Sequence, residues 1–444
     1  MTLHDLIDNT DIEARRTFLG RMAGSLLGVG AAAAFGPSAI ARALTQDPGV
    51  TAQDPGPLVL GRATAKNVIY LFLRGGMSHL DTFDPKPGKE TQGPVEVLRT
   101  RADGVMLGQY FPKLAEQMDK VCIVSSMSSK QGAHPQAQYL MRTSYELRGT
   151  IQHPSLGAWC QRMAGRNNKM LPGHVLIGGG AEMPSAGFFP PDFQALPIGS
   201  AEDGLQNASL PRGVDNERFE RRLARLKQLD QAFAEKHGQR SVQAYSKAYA
   251  EAVRLMRSSD LVAFDIELES KSMQQVYGET PFGAGCLLAR RLVEHGVRYV
   301  EVMSDGWDTH ADNFDRLGDL TPAIDQGLSA LLADLDARGL LRETLVVLAT
   351  EFGRTPDIDQ DQGRNHYPKA FSCLLAGGGV RGGQRYGRTD AEGREVETEP
   401  VSIQDFNATI AHAVGLPLDY VITSPSGRPF KVADKGSPIT SVFS

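Results

Sequence analysis

Residues 68–73, Val-Ile-Tyr-Leu-Phe-Leu, form a continuous apolar run of strong β formers that stops at an Arg-Gly-Gly sequence. A strand that is apolar on both faces is typical of a sheet covered by helices on either side. Helical patterns, clearest at residues 284–295 and 324–335, separate several later runs of the same kind. Those runs are residues 121–124, 175–177, 299–303, 345–349 and 371–375. Strands that alternate with helices predict right-handed crossovers and a doubly wound, mainly parallel α/β sheet between helical layers.

The pattern changes between about residue 214 and residue 275, where the sequence becomes charged and helical. Two amphipathic stretches, residues 217–237 and 241–257, carry apolar residues at helical spacing. They predict a helical hairpin inserted into the sheet domain, which itself spans residues 66–444. The charges on both stretches indicate a solvent-exposed face.

The first 43 residues have the layout of a twin-arginine secretory signal. The segment RRTFL (residues 15–19) precedes a mild apolar stretch, which ends in the small-x-small pattern ARA (residues 41–43). An ordinary helix or a membrane anchor is the alternative, but glycines and Pro37 interrupt the apolar stretch and disfavour a stable span. We therefore expect a periplasmic or secreted protein, with no stable membrane span after cleavage. A turn-rich linker at residues 44–65 follows the signal.

The composition is that of an ordinary globular protein, with 41% hydrophobic and 22% charged residues. The net charge of −5 does not suggest the basic surface that nucleic-acid binding requires, so no nucleic-acid partner is expected. No cysteine pair has CxxC spacing and no disulfide framework is visible, although a single disulfide stays open. The cysteines are Cys122, Cys160, Cys286 and Cys373.

Candidate metal ligands follow three of the predicted strand and loop segments. Asp305, Asp308 and His310 lie at the exit of one strand, Glu351 at the exit of the next, and His366 in the polar loop beyond it. Ligand sites of open α/β sheets form beyond the carboxyl ends of the strands. Carboxylate and imidazole groups suit divalent cations such as zinc, calcium or manganese. The four ligands of such a site would be Asp308, His310, Glu351 and His366. Each of them alone is also explained by a structural role, such as capping a turn or helix.

The exits of the first two predicted strands add further candidates. His79 and Asp81 are equally suited to a site and to the scaffold, whereas Asp84 begins a turn. His134 precedes a proline at the predicted start of a helix, where the N-terminus favours an anionic group such as phosphate or sulfate. No nucleophile elbow and no phosphate loop is present in the sequence.

Five further motifs can be compared with known families. They are GGMSHLDTFDPKP (residues 75–87), YLMRT (139–143), GWDTH (306–310), TEFGRTP (350–356) and DFNATI (405–410). On these motifs the chain, from residue 66 to its C-terminus, resembles the secreted bacterial family called domain of unknown function 1501, within the alkaline phosphatase/sulfatase superfamily. The resemblance implies a doubly wound sheet between helices, with a metal site at the strand ends.

The resemblance also implies roles for individual residues. Asp308 and His310 resemble the Asp/His ligand pair of the superfamily, and His366 resembles its late histidine ligand. Glu351 falls where an Asp-His pair supplies two ligands, and Phe352 replaces that histidine. The lost histidine implies one metal ion rather than two.

The nucleophile of the superfamily falls at His134, where sulfatases have a modified cysteine and phosphatases a serine or threonine. An imidazole at this position argues against a covalent ester intermediate, so His134 is a candidate catalytic residue that acts as a general acid or as a further ligand. Arg354, His79, Asp81 and Asp305 are candidates for an additional site. We predict an exported metal-dependent hydrolase of phosphate or sulfate esters, with a small-molecule or polysaccharide substrate. The alternative is a binding or envelope-structural protein that kept the fold and lost catalysis.

Overall fold

The computed structural model describes residues 63–179, 185–206, 208, 210, 214–237 and 250–444. The predicted signal, most of the predicted linker and the first part of the second predicted helical stretch lie outside the described residues. Within the described part of the chain, a central sheet of nine strands lies between two hydrophobic layers.

The strands of the central sheet run mainly parallel. In chain order they are β1 (Asn67–Leu73), β2 (Val121–Ser128), β3 (His174–Ile177), β4 (Leu196–Ile198), β5 (Tyr299–Ser304), β6 (Thr344–Thr350), β7 (Phe371–Gly377), β8 (Gln384–Tyr386) and β9 (Val401–Ser402). Their order across the sheet is β8-β2-β7-β6-β1-β5-β3-β4, and β9 pairs with the end of β2. Strand β7 is antiparallel to both of its neighbours, and the other pairs are parallel. The prediction of a mainly parallel sheet is confirmed.

Strand β1 is buried along its whole length and separates the two hydrophobic layers. Ile69 and Leu71 belong to one cluster of buried side chains, whereas Val68 and Phe72 belong to the other. Successive side chains of a strand point to opposite faces, so the continuous apolar run supplies both layers at once. Each fully buried side chain of this size contributes about 1.5–3 kcal/mol relative to an exposed one.

Helices cover both faces of the sheet. In chain order they are α1 (Pro112–Ala115), α2 (His134–Thr143), α3 (Leu156–Ala164), α4 (Asn216–His237), α5 (Lys271–Tyr277), α6 (Pro281–Glu294), α7 (Asn313–Ala337) and α8 (Ile403–Val414). Buried residues of α6 and α7 belong to the cluster that contains Ile69, and buried residues of α2, α3 and α8 belong to the cluster that contains Val68. The predicted helical layers on both faces are confirmed.

Helix α7 begins earlier than the pattern at residues 324–335 predicts. Pro322 lies inside the helix, and an internal proline removes a backbone hydrogen bond and usually ends a helical pattern. The first turns of α7 therefore continue directly from the segment that carries Asp308 and His310.

Helix α4 occupies the first of the two predicted helical stretches. Residues 250–256 are helical as well, and two 3-10 helices, Ser259–Phe264 and Ile266–Leu268, lead to α5. The connection at residues 238–249 lies outside the described residues, so the inserted hairpin stays a prediction.

Four short antiparallel pairs complete the strands of the described residues. They are Val97–Arg99 with Met106–Gly108, Gly353–Arg354 with His366–Tyr367, Arg388–Thr389 with Val396–Thr398, and Ile422–Thr423 with Pro429–Phe430. All four cysteines are buried free thiols. No helix of the described residues combines the length and the apolar character that crossing a membrane requires.

Candidate metal centre

The exits of three neighbouring parallel strands meet at one edge of the sheet. Leu73 at the end of β1 is level with Ser304 at the end of β5 and with Thr350 at the end of β6. The segments that follow these strands therefore leave the sheet side by side, which is where ligand sites of open α/β sheets form.

Gly75 brings two of these segments into direct contact. Its φ is +129°, and a Cβ at this position would lie 2.4 Å from the backbone nitrogen of Asp308. Its own N–H donates to Glu351 Oε1 at 2.9 Å. The backbone of the first strand exit thus fixes Asp308 and Glu351 next to each other, a position that only glycine can occupy without displacing Asp308.

His366 enters from a short hairpin that packs on the exit of β5. It pairs with Arg354 in the two-stranded ladder. The backbone N–H of Arg364 donates to the carbonyl oxygen of Thr309 at 3.1 Å. The segments that carry His310 and His366 therefore lie against each other.

Four side chains converge at this edge. Asp308 is the common partner: its Oδ2 lies 3.3 Å from Nε2 of His134, and its Oδ1 lies 3.1 Å from Nε2 of His310 and 3.2 Å from Nε2 of His366. Ligand atoms of His134, Asp308 and His366 all lie within 4.8 Å of one another. His310 lies beside this group, with its Nε2 3.0 Å from Nε2 of His366. The structure thus brings together three of the four predicted ligands and the predicted catalytic residue His134.

Each of the three imidazoles has its other ring nitrogen within hydrogen-bond distance of an oxygen. These Nδ1 partners are Glu351 Oε1 for His134 at 2.9 Å, Asn365 Oδ1 for His310 at 3.0 Å, and the Gly132 carbonyl oxygen for His366 at 2.8 Å. A carboxylate, an amide oxygen and a carbonyl oxygen only accept, so each Nδ1 carries the proton. In the neutral rings, the Nε2 atoms that face Asp308 are then unprotonated.

In the neutral rings, the facing sides of these groups hold lone pairs. Nε2 of His134 is buried and has no hydrogen-bond partner. Two ligand atoms bound to one zinc ion at a tetrahedral angle lie roughly 3.3 Å apart. The distances from Asp308 to each histidine and from His310 to His366, 3.0 to 3.3 Å, are close to this value. Histidines that bind metals also donate their far ring N–H to an oxygen. The donor set therefore fits a divalent cation.

Glu351 lies behind His134 and not among the facing ligands. Its buried carboxylate accepts hydrogen bonds from Nδ1 of His134, from the Gly75 N–H and from Nε2 of Gln138, all through Oε1. The predicted ligand role is therefore replaced by a different one: Glu351 orients His134 and keeps the proton on its Nδ1. This hydrogen bond raises the pKa of His134.

A completely buried guanidinium, that of Arg354, holds Asp308. Its Nη2 lies 2.5 Å from Asp308 Oδ1 and also donates to the carbonyl oxygens of Gly75 and Trp307. Burial alone would raise the pKa of Asp308, but the hydrogen bond from Arg354 contributes to holding it well below its usual range. Asp308 is thus a carboxylate at neutral pH. Arg354, a candidate for an additional site, supports this ligand from the interior.

Phe352 forms an apolar wall beneath two of the histidines. Its ring centroid lies 5.0 Å from that of His134 and 4.6 Å from that of His366. Phe352 therefore packs against these two histidines and offers no donor atom.

The remaining candidates lie outside the centre. Asp305 forms an ion pair with Arg74 at 2.9 Å, and its side chain is 61% exposed. His79 is buried, with Nε2 2.9 Å from the carbonyl oxygen of Gly393, and burial lowers its pKa. Asp81 is buried in an ion pair with Arg364. The side chains of His79 and Asp81, which the sequence left between site and scaffold, bind Gly393 and Arg364 outside the candidate centre.

Three partners of the centre were not among the sequence candidates. Asn365 and Gly132 accept from His310 and His366, and Gln138 donates to Glu351. The sequence could have indicated Asn365, since this residue is adjacent to His366 in a polar loop. The sequence could not have indicated the carbonyl oxygen of Gly132, because every residue carries such an acceptor.

We expect Gly363→Ala to separate the two loops that carry His310 and His366. A Cβ at Gly363 would lie 1.8 Å from the carbonyl oxygen of His310, so the loops must move apart. The expected cost is about 1–3 kcal/mol of stability, together with weaker zinc binding, measured by thermal unfolding and zinc titration. Gly318→Ala is the control, since no atom lies within 4 Å of its added Cβ, and alanine within a helix should stabilise by about 1 kcal/mol. Equal zinc affinity in wild type and Gly363→Ala would contradict the role of this contact.

The comparison with solved structures finds similarities to phosphatases, sulfatases and a related synthase. The lipoteichoic acid synthase LtaP from Listeria monocytogenes has a TM-score of 0.35 and 8% identity, with 86% of this chain and 78% of that chain covered. The PsFucS1 sulfatase from Pseudoalteromonas sp. has a TM-score of 0.36 and 13% identity, with 85% and 73% covered. The alkaline phosphatase from the Antarctic bacterium TAB5 has a TM-score of 0.29 and 13% identity, with 73% and 95% covered.

No curated protein sequence matches the chain. A family model does match, over residues 65–443, and its description is "Protein of unknown function (DUF1501)". This match covers nearly all of the domain predicted at residues 66–444 and confirms the family resemblance predicted from the five motifs. The chain belongs to the DUF1501 family.

Proposed function

We propose that the chain is a metal-dependent hydrolase of phosphate or sulfate esters. The observation that carries the proposal is the convergence of three imidazole Nε2 atoms on one carboxylate. His134, His310 and His366 each present Nε2 to Asp308 and bind an oxygen through Nδ1. In the neutral rings the lone pairs of such a set repel one another, and a divalent cation between them would replace this repulsion by attraction.

Three imidazoles and one carboxylate favour zinc or manganese over calcium, because calcium prefers oxygen ligands. His134, Asp308, His310 and His366 would hold the ion. When bound, a divalent ion polarises an ester oxygen and lowers the pKa of water. The net charge of one carboxylate and three neutral rings leaves a site with a divalent ion positive, which suits an anionic ester.

The residues of the chain give the site an open side and an anion preference. The side chains of Asp308 and His310 are 44% and 46% exposed, so a substrate can approach them from solvent. His134 is the first residue of α2, and no side chain caps this helix N-terminus. A helix N-terminus favours phosphate- and sulfate-like groups. Glu351 and Arg354 keep the ligands in place from the buried side.

The proposed hydrolysis could proceed by direct attack of water or through a covalent intermediate on a side chain, and the two differ in the nucleophile. Among the described residues, the polar contacts of the four side chains go to each other and to Glu351, Arg354, Asn365 and Gly132, without a hydroxyl or a thiol. This set supports direct attack by water, without a covalent intermediate. The same observation favours the second candidate function, a protein that binds a metal and an anionic ligand without turnover.

The proposed site of action is outside the cytoplasm. The segment RRTFL (residues 15–19) and the cleavage pattern at residues 41–43 support export by the twin-arginine pathway to the periplasm or the medium. A small-molecule or polysaccharide ester is the proposed substrate.

The function is tested with the exported full chain, stripped of metal by a chelator and reloaded with zinc, manganese or calcium. We expect one equivalent of metal per chain, with zinc or manganese bound more tightly than calcium. Hydrolysis of nitrophenyl phosphate or nitrophenyl sulfate should disappear after chelation and return with the metal. These two esters distinguish a phosphatase from a sulfatase.

Each other outcome selects between the alternatives. Bound metal without hydrolysis of either ester would support the binding protein. A chain that binds none of the three ions and keeps its melting temperature when zinc is added would exclude both candidate functions.

A further inference from the structure

Asp81 lies at the centre of a buried network that does not touch the proposed metal ligands. Its side chain and that of Arg364 have no exposed surface. Nε and Nη2 of Arg364 donate to the two oxygens of Asp81 at 2.8 and 2.9 Å. Nη2 also donates to the carbonyl oxygen of Thr91, and Nη1 donates to those of Thr355 and Pro356. All five donors of the guanidinium are used, so its position is fixed.

The network reaches the loop of His310 through the side chain of Asn313. Nδ2 of Asn313 donates to Asp81 Oδ2 at 2.9 Å, and Oδ1 of Asn313 accepts from the hydroxyl of Thr309 at 2.7 Å. Thr309 stands between Asp308 and His310. One carboxylate is therefore connected by side-chain hydrogen bonds to the neighbour of two proposed ligands.

The network reaches the loop of His366 through Arg364 itself, which lies two residues before this histidine. The backbone of the two loops is joined as well, by the Arg364 N–H and the Thr309 carbonyl oxygen. Asp81 thus binds Arg364 in one loop and, through Asn313 with Thr309 behind it, reaches the other.

We infer that Asp81 is a positioning residue, which sets the separation of the loops that carry Asp308, His310 and His366. This inference rests on the proposed metal-dependent function for its role in binding, but the coupling of the two loops does not. A carboxylate is required because it alone accepts two donors from Arg364 and one from Asn313 while it neutralises a buried charge.

Asp84 is a matched control within the same strand exit. It is also buried, and its oxygens bind Arg385, Lys86 and the hydroxyl of Thr389. None of these partners belongs to the loops of His310 and His366. Asp84→Asn therefore removes a buried charge nearby without disconnecting the two loops.

The inference is tested with Asp81→Asn, Thr309→Val and Asp84→Asn in the full chain. The first readout is hydrogen–deuterium exchange of the metal-free proteins, followed in residues 306–312 and 361–367. We expect Asp81→Asn to lose protection against exchange in both segments together, whereas Asp84→Asn keeps it.

The second readout is cobalt(II) titration. The affinity of Asp81→Asn for cobalt should fall between about 10-fold and 100-fold, and the visible absorption bands of the bound cobalt should change. Thr309→Val cuts only the connection through Asn313 and should show the same effects in weaker form.

The outcomes separate this inference from the proposed function. Unchanged exchange in both segments of Asp81→Asn, or equal effects in Asp84→Asn, would overturn the positioning role whatever the metal does. A wild-type chain without cobalt binding would remove the metal function, and the exchange data would still decide whether Asp81 couples the loops. If Asp81→Asn does not fold, Thr309→Val alone decides, because it keeps the buried ion pair intact.

Discussion

Asp308→Asn should abolish metal binding and ester hydrolysis while the fold is retained. Asp308 contacts all three histidines, with 3.1 to 3.3 Å between its oxygens and their Nε2 atoms. An amide keeps the shape of the side chain but loses the negative charge, and one of its ends cannot bind a cation. Changes to outer partners of metal ligands already weaken affinity about 10- to 100-fold, so we expect a larger loss here. Zinc titration and turnover of nitrophenyl esters measure it.

The expected loss of turnover is at least about 1,000-fold, since a metal ion supplies several kcal/mol of transition-state stabilisation and each 1.4 kcal/mol is a factor of ten. The fold should survive for a specific reason. Arg354, the buried cation beside Asp308, also donates to the carbonyl oxygens of Gly75, Gly76 and Trp307. It is therefore not left without acceptors.

The control is Asp305→Asn, the same chemical change at the same strand exit. Asp305 pairs with Arg74, and its side chain is 61% exposed, so its change should affect neither zinc affinity nor turnover. A metal-loaded, active Asp308→Asn protein would show that the histidines do not act with this carboxylate. Equal losses in both variants would show a general effect of charge at this edge of the sheet.

The layers of the fold were predictable because the apolar runs are continuous. The run at residues 68–73 predicts a strand buried on both faces, and β1 contributes to both hydrophobic clusters. The reversed direction of β7 is not encoded in its apolar pattern. The connection between β6 and β7 nonetheless indicates the reversal. Residues 351–370 contain no helix, and neighbouring parallel strands usually need a helical crossover.

The location of the candidate centre was predictable, but the role of each residue in it was not. Parallel strands end at the same edge, so Asp308 and His310 were expected there together with Glu351. The sequence does not tell which face of an exit segment turns toward the next one. Glu351 faces the start of α2, where it binds His134, and this depends on the packing of a helix that begins more than two hundred residues earlier in the chain.

Arg142, another residue of α2, anchors that helix to the sheet through a buried ion pair. Its Nε and Nη2 donate to Glu301 Oε2 on β5, and Nε2 of His174 on β3 lies 2.7 Å from Glu301 Oε1. The side chains of Arg142 and Glu301 are each 2% exposed. Removing one member of such a pair leaves a buried charge without its partner. We therefore expect Glu301→Gln to lose about 3–5 kcal/mol of stability, measured by denaturant unfolding at pH 7.

The same variant should have a different dependence of stability on pH. Burial alone would raise the pKa of Glu301, but the charge of Arg142 and the contact with His174 hold it below its ordinary value. The folded protein thus binds this proton less readily than the unfolded chain, in which the pKa is about 4.3. The stabilisation from Glu301 is complete above that pH and is lost as the pH falls through the lower folded pKa. The difference between wild type and Glu301→Gln should therefore be constant near neutrality and shrink below about pH 4.3.

Glu395→Gln is the control for the pH dependence of the stability difference between wild type and Glu301→Gln. Glu395 forms an ion pair with Lys369 in which both side chains are more than half exposed, and such pairs contribute about 0–1 kcal/mol. Its unfolding curve should stay close to that of the wild type at every pH. If Glu301→Gln cost as little as Glu395→Gln, the pair would not anchor α2. If the difference stayed constant down to pH 3, the loss would come from altered packing and not from the ionised carboxylate. Convergence of the curves in acid is therefore the result that assigns the stabilisation to the charge of Glu301.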